Sequence, residues 1–178
     1  FWDPVENVSL MPWICATILL HTAYQQTRQG VAWAVGISIT GFILSVLGTL
    51  MIRSGLLVSV HSFVSDPLRG AVLLVLTSVL IAKVLPVMYR FYRYHTQTLP
   101  NKPQAIGGLL QLQAQLLATI LLVVLVATLY PMLHEIGYQS SVSVGAGYYE
   151  QVLSPLVIVL TALLASYPYL IGLVRSSR

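Results

Sequence analysis

The sequence predicts an all-α integral membrane protein, a single helical region of about five transmembrane helices that forms part of a larger bundle. Three observations carry this expectation. Of the 178 residues, 57% are hydrophobic and only 8% charged, against roughly 25% charged in a soluble domain, and mean hydropathy is +0.82. The apolar residues gather in five runs, and about 20 helical residues suffice to cross a bilayer. The charged residues fall almost wholly between those runs.

The first run covers residues 10–24, in a span set at about 10–26, and is interrupted by Pro12. Upstream, Asp3-Pro4-Val5-Glu6 reads as a helix start: Asp3 as N-cap, Pro4 at the first helical position and Glu6 completing a capping box. The amphipathic stretch 2–10 is expected to lie at the membrane surface before the chain turns inward. The second span, 31–51, holds no charge and includes Gly36, Gly41 and Gly48, which permit close helix packing. The third, 70–89, follows Asp66-Pro67, another cap-and-proline start. Lys83 and Pro86 lie near its far end, where a lysine can snorkel to the headgroups. The fourth, 109–130, carries Gln111, Gln113 and Gln115 on its first turns, and the fifth, 153–174, ends near Arg175 and Arg178.

Alternating crossings place Arg28, Lys83, Arg90, Arg93, Lys102, Arg175 and Arg178 on one side, seven of the nine bases. By the positive-inside rule that side is the cytoplasm or the mitochondrial matrix. The other side receives Arg53 and Arg69 with all five acids, Asp3, Glu6, Asp66, Glu135 and Glu150. Loops 52–69 and 131–151 therefore face the outer compartment, together with Trp2, Tyr138, Tyr148 and Tyr149, which suit an interfacial aromatic belt. The net charge of +4 and pI near 9.4 do not mark a nucleic-acid binder, because the bases form no cluster beyond Arg90, Arg93 and Lys102. The single cysteine, Cys15, excludes an internal disulfide, a four-cysteine zinc site and a CxxCH attachment motif. It reads as a small buried hydrophobe. The chain opens Phe-Trp-Asp without a signal peptide pattern and is expected to be a piece of something longer.

Four histidines remain to be explained. His21, after Ala16-Thr17-Ile18-Leu19-Leu20, sits in a membrane span, where an imidazole is costly unless partnered. It reads as a ligand or as a packing histidine bonded to a neighbouring Ser or Thr. His134 closes the fourth span beside Glu135 and is a ligand or an ordinary interfacial histidine. His61 lies in an outer loop that stays apolar, Val58-Ser59-Val60-His61-Ser62-Phe63, as a loop packed on the membrane or on an apolar ligand would. His95, in the basic inner loop, reads as a solvated surface residue. HExxH, HxxEH, GxSxG and GxxxxGK[ST] are all absent. Histidines among tryptophans in apolar surroundings suit haem. Trp2 and Trp13 would offer flat faces to a porphyrin, and Arg53 and Arg69 would meet its propionates. An aromatic belt and headgroup anchoring explain the same residues more simply.

The segment Phe1-Trp2-Asp3-Pro4-Val5-Glu6-Asn7-Val8-Ser9-Leu10-Met11-Pro12-Trp13 resembles the end of the tryptophan-rich WWD signature of haem-handling membrane proteins. The run Gly48-Thr49-Leu50-Met51-Ile52-Arg53-Ser54-Gly55-Leu56-Leu57-Val58-Ser59-Val60-His61-Ser62-Phe63-Val64-Ser65-Asp66-Pro67-Leu68-Arg69-Gly70 is similar to the CcmF family, the haem lyase component of system I cytochrome c maturation. The likeness extends to Ser143-Val144-Gly145 and Tyr148-Tyr149 and covers most of the chain.

The resemblance implies a surface platform of Trp2, Asp3 and Trp13 on which haem delivered by a haem chaperone rests, with His61 as axial ligand to the incoming iron. It implies thioether attachment of that haem to the CxxCH of apocytochrome c. It further implies a b-type haem held by His21 and His134, which keeps the substrate iron reduced with quinol as a candidate electron donor. Implied partners are a thiol-handling subunit of the maturation system and the remaining CcmF portion, which carries the family's first outer-face histidine. The implied location is a bacterial plasma membrane or mitochondrial inner membrane, with the WWD side facing the periplasm or intermembrane space. Two other classes stay open: a transporter whose polar path is lined by His21 and Lys83, and a non-catalytic structural subunit of a membrane complex.

Overall fold

A computed structural model describes residues 2–23, 28–54, 67–96 and 107–176. They form five helices: α1 (Pro4–Ala23), α2 (Arg28–Ser54), α3 (Pro67–Thr96), α4 (Gly107–Tyr138) and α5 (Ala146–Ser176). Among the described residues there is no strand. Four segments are long and apolar enough to cross a membrane: Gly30–Arg53, Leu68–Tyr94, Gly107–Glu135 and Ala146–Tyr169. The chain is therefore an integral membrane polypeptide. The helix α1 is not among the four; its first half carries Glu6, Asn7, Ser9 and Pro12.

The start of α1 follows its sequence. Asp3 accepts the Val5 N–H on Oδ1 at 2.9 Å, and its carbonyl takes the Asn7 N–H at 3.0 Å, so the side chain is the N-cap and Pro4 opens the first turn. The expected surface stretch 2–10 is not a separate element. One helix runs through Pro12, and its buried residues, Asn7, Val8, Met11, Ile14, Cys15, Ile18 and Thr22, keep a single phase from end to end. The other helices also overrun their apolar cores. The third continues past Tyr89 through Arg90 and Arg93, so part of the basic loop is helical, and Pro86, Pro131, Pro155 and Pro168 all lie inside helices. Proline is tolerated there because neighbouring helices and local adjustments satisfy the freed carbonyls.

The helix outside those four stands in the middle. α1 packs on α2 along one side and on α4 along another, α3 packs on α2, and α5 on α4. The order across the bundle is thus α3, α2, α1, α4, α5. Two glycines bring α1 and α2 together: a Cβ on Gly41 would stand 2.9 Å from Cys15 Cβ, and one on Gly48 would overlap Val8. Gly36 faces open space. Because residue 48 meets residue 8 while 41 meets 15, the two helices run antiparallel with backbones in close approach. The α1–α4 seam is formed by Val8, Met11, Ile14 and Ile18 against Leu117, Leu121 and Val124. α3 and α5 remain largely uncovered, exposing Val75, Leu76, Val157 and Ile158, as helices that face acyl chains do.

Candidate functional site

At the Trp2 end of the bundle three helices are tied by a small buried polar cluster. Asn7 sits on the apolar face of α1, one residue from Val8, and is 2% exposed. Its Nδ2 donates to Thr128 Oγ1 of α4 at 3.2 Å and to the Tyr149 hydroxyl of α5 at 3.0 Å. Thr128 in turn donates to the Val124 carbonyl at 2.7 Å. The Trp2 indole stacks on the Tyr149 ring, with centroids 4.6 Å apart and planes 9° from parallel, and Tyr148 meets Tyr149 edge-on at 5.6 Å. These contacts fix the chain just before α1 to the start of α5. A cavity of about 330 Å³ opens beneath them, walled by Trp2, Pro4, Thr128, Pro131 and Glu135, with residues 141–144 across its mouth.

The tryptophans do converge. Trp2, Glu6, Leu10 and Trp13 repeat at helical spacing and line one open groove of about 600 Å³ on the face of α1 turned away from α2. Trp13 is 62% exposed. A groove of this size, with indoles at both ends and Glu6, Asn7 and Ser9 between them, lies in the range of small-molecule sites, and the indoles offer flat apolar surface to a flat ligand. Asp3 does not line it and instead caps the helix beneath.

Arg53 and Arg69 also come together, lining a groove of about 500 Å³ with Thr49 and Leu68 where α2 ends and α3 begins. That groove lies across α1 from the tryptophans, because the α2 contacts at Val8 and Cys15 occupy the opposite side of α1. The two arginines thus share a site with each other but do not border the Trp2–Trp13 groove.

Both described imidazoles have a defined tautomer. His21 Nδ1 lies 2.8 Å from the Thr17 carbonyl, which can only accept, so Nδ1 carries the proton and the Nε2 lone pair is left for a metal. The Thr17 hydroxyl donates to the Trp13 carbonyl at 3.0 Å, so Trp13, Thr17 and His21 form a ladder along α1. His134 Nδ1 lies 3.1 Å from the Ser140 carbonyl, with Tyr138 and Tyr130 packed against the ring at 4.9 and 5.7 Å. That carbonyl is delivered by a cap in which Gln139 adopts the left-handed conformation, φ 51°, and its N–H bonds the Glu135 carbonyl at 3.0 Å.

The structure does not bring His21 and His134 together. The Asn7–Thr128 bond and the cavity that joins Trp2 and Pro4 to Pro131 and Glu135 show α1 and α4 antiparallel. His21 lies fourteen residues beyond Asn7 toward one end, and His134 six beyond Thr128 toward the other. At 1.5 Å per residue they are roughly 30 Å apart along the helix axes, whereas two nitrogens on one metal stand about 4 Å apart. The expected pairing of these two rings on a single iron is corrected accordingly: they do not fit as a pair. His61 lies outside the described residues, and His95 is in the helical tail of α3. Among the described residues no three of His, Cys, Asp and Glu gather into a metal cluster.

Sequence reasoning missed Asn7 as the hub of the polar cluster. Its signal was present, a polar residue in phase with Met11, Ile14 and Ile18 on the apolar stripe.

Comparison with known proteins gives a consistent answer. The family model for cytochrome C assembly proteins matches residues 1–59. The chain is 39% identical over 158 residues to the cytochrome c-type biogenesis protein CycK of Bradyrhizobium diazoefficiens, covering 88% of this chain and 24% of that protein. It is 40% identical over 157 residues to the cytochrome c-type biogenesis protein CcmF of Haemophilus influenzae, 85% of this chain and 24% of the relative. It is 36% identical over 177 residues to the probable cytochrome c-type biogenesis protein NrfE of Escherichia coli, 94% of this chain and 31% of the relative. The chain spans about a quarter of the length of the curated relatives it matches. No solved structure matches it.

Proposed function

As a stretch of CcmF-family sequence, this chain serves cytochrome c maturation, we propose, by holding haem for attachment to apocytochrome c within a larger membrane assembly. The observation that carries the proposal is the groove between Trp2 and Trp13 on the uncovered face of α1. Haem enters as substrate, handed over by a chaperone at the outer membrane face. The indoles would bind and orient the macrocycle and keep water from one face, and His61 would ligate its iron. Each CxxCH thiol of apocytochrome c then adds across a vinyl group. Sulfur bonds to one vinyl carbon and the thiol hydrogen goes to the other, so the addition is redox-neutral. Bringing both thiols and both vinyls into one geometry is what such a platform contributes.

The iron of the substrate is to be ferrous, and His21 is proposed as one axial ligand of a b-type haem in this chain. The chemistry that group supplies is one-electron transfer. The part played by the chain is to present an imidazole with Nδ1–H on the Thr17 carbonyl, which fixes the ring and leaves Nε2 to bind the group. The remaining CcmF portion and a thiol-handling subunit complete the assembly, in a bacterial plasma membrane or mitochondrial inner membrane, with the Trp2 end facing the periplasm or intermembrane space and quinol as the electron source.

The test is a reduced-minus-oxidised spectrum of the complete, co-assembled protein. Bands of a b-type haem that vanish in His21→Ala are expected; a complete sample with no such bands would overturn the reading.

A further inference from the structure

We propose that Gln113 of α4 is a positioning residue for the group carried on His21, its side-chain amide donating to a carboxylate of that haem. The inference rests on the proposed ligand role of His21.

Gln113 is 1% exposed, and among the described residues its Nε2, a two-proton donor, has no acceptor. An amide buried without a partner in a membrane helix is costly, since no water is at hand to satisfy it. The buried residues that follow it on α4, Ala114 and Leu117, are apolar. Such a side chain is retained where something not yet in place accepts its hydrogen bond.

Register and facing place it beside His21. Gln113 lies fifteen residues before Thr128, and His21 fourteen after Asn7. Since Asn7 and Thr128 are bonded across antiparallel helices, the two side chains leave their backbones within roughly 2 Å of one level along the bundle. They also share a flank. Gln113, Ile120 and Ala127 recur at intervals of seven on α4, and Ala127 lines the cavity with Trp2 and Tyr149. His21 recurs eleven residues after Leu10, which lines the Trp2–Trp13 groove. Both residues thus lie on the side of the α1–α4 seam away from α2. Gln111, two residues earlier, points to another side of α4.

The depth suits a carboxylate. His21 is two residues from the end of α1 and Gln113 six from the start of α4, so the pair sits close to the membrane surface at that end. A haem held by His21 would bring its carboxylates into this region. The Gln113 amide then meets an anionic acceptor, the stronger kind of hydrogen bond.

The experiment compares wild type, Gln113→Leu and Gln113→Glu in the complete assembly, reading b-type haem content, the rate of haem transfer to apomyoglobin, and thermal stability of the haem-free form. Gln113→Leu is expected to release haem about tenfold to a hundredfold faster while the haem-free protein becomes more stable, because a buried unpaired amide is gone. Gln113→Glu is expected to release haem faster still, through repulsion of the carboxylate. Unchanged release from Gln113→Leu, with wild-type bands intact, overturns this inference and leaves the ligand role of His21 standing. Faster release accompanied by a less stable haem-free protein overturns it too, by showing a structural role. Absence of b-type bands in the wild type overturns both, and so does their retention in His21→Ala.

Discussion

Trp2 and Tyr149, 147 positions apart in the chain, lie ring on ring at 4.6 Å and 9°, and the hydroxyl of that tyrosine takes the amide proton of Asn7. The segment entering α1 and the start of α5 are thereby fastened at one end of the bundle. Two losses can be separated here. Tyr149→Phe keeps the stack and removes one hydrogen-bond acceptor, an expected cost of about 1 kcal/mol. Tyr149→Ala removes the ring as well and is expected to cost about 3–5 kcal/mol. Thermal unfolding in detergent distinguishes them, and equal losses from the two variants would show that the stack contributes nothing.

The glycine contacts between α1 and α2 predict a suppressible defect. Gly48→Ala pushes a methyl into Val8 and is expected to cost about 1–3 kcal/mol. Adding Val8→Ala on the facing helix restores much of that loss, a coupling that a double-mutant cycle measures directly. Gly36→Ala, in open space, is the control and is expected to stabilise by up to about 1 kcal/mol through helix propensity. Cys15, 2% exposed and the sole cysteine, supplies the readout. A fluorogenic maleimide reaches it only as the bundle opens.

The opposite placement of the two described imidazoles gives a spectroscopic prediction. His134→Ala is expected to keep the b-type bands that His21→Ala abolishes, since the two rings are roughly 30 Å apart along the axes. Loss of the bands in both variants, with the assembly intact, contradicts the antiparallel register of α1 and α4.

Gln139 holds a left-handed φ of 51° at the end of α4, where glycine is the usual residue. Gln139→Gly is expected to stabilise by about 1 kcal/mol, by removing the Cβ clash of that conformation. The same thermal assay checks it, and a destabilised variant refutes the cap.

Sidedness is open to chemical labelling. With Cys15 buried, a cysteine at position 143 or at position 93 is the only reactive thiol in its variant. A membrane-impermeant maleimide added from the outer side is expected to modify Ser143→Cys and to spare Arg93→Cys. The reverse pattern inverts the orientation drawn from the bases.

Much of the fold was legible because its signals are local. Asp3-Pro4 opens α1 where a cap and a first-turn proline say it should, and the uncharged run 31–51 is the body of α2. Helix ends were less legible. A helix continues beyond its apolar run while its carbonyls have partners, as the tail of α3 does through Arg90 and Arg93. The convergence of Trp2 and Trp13 follows from helical period alone. The separation of His21 from His134 does not, because residue matches carry no information on the register between helices. That register came from a single buried amide, Asn7, and its partners on α4 and α5.

The central position of α1 sets a schedule for assembly. It is made before α4, and the acceptor on Thr128 that its Asn7 requires follows 121 residues later. At a synthesis rate of about 5–20 residues per second, that interval is roughly 6–24 s. During it the α2 hairpin partner is present, while α4, which takes the polar amide, is not. A helix of modest hydropathy is suited to such a wait, since it need not commit to lipid before α4 arrives to close over it.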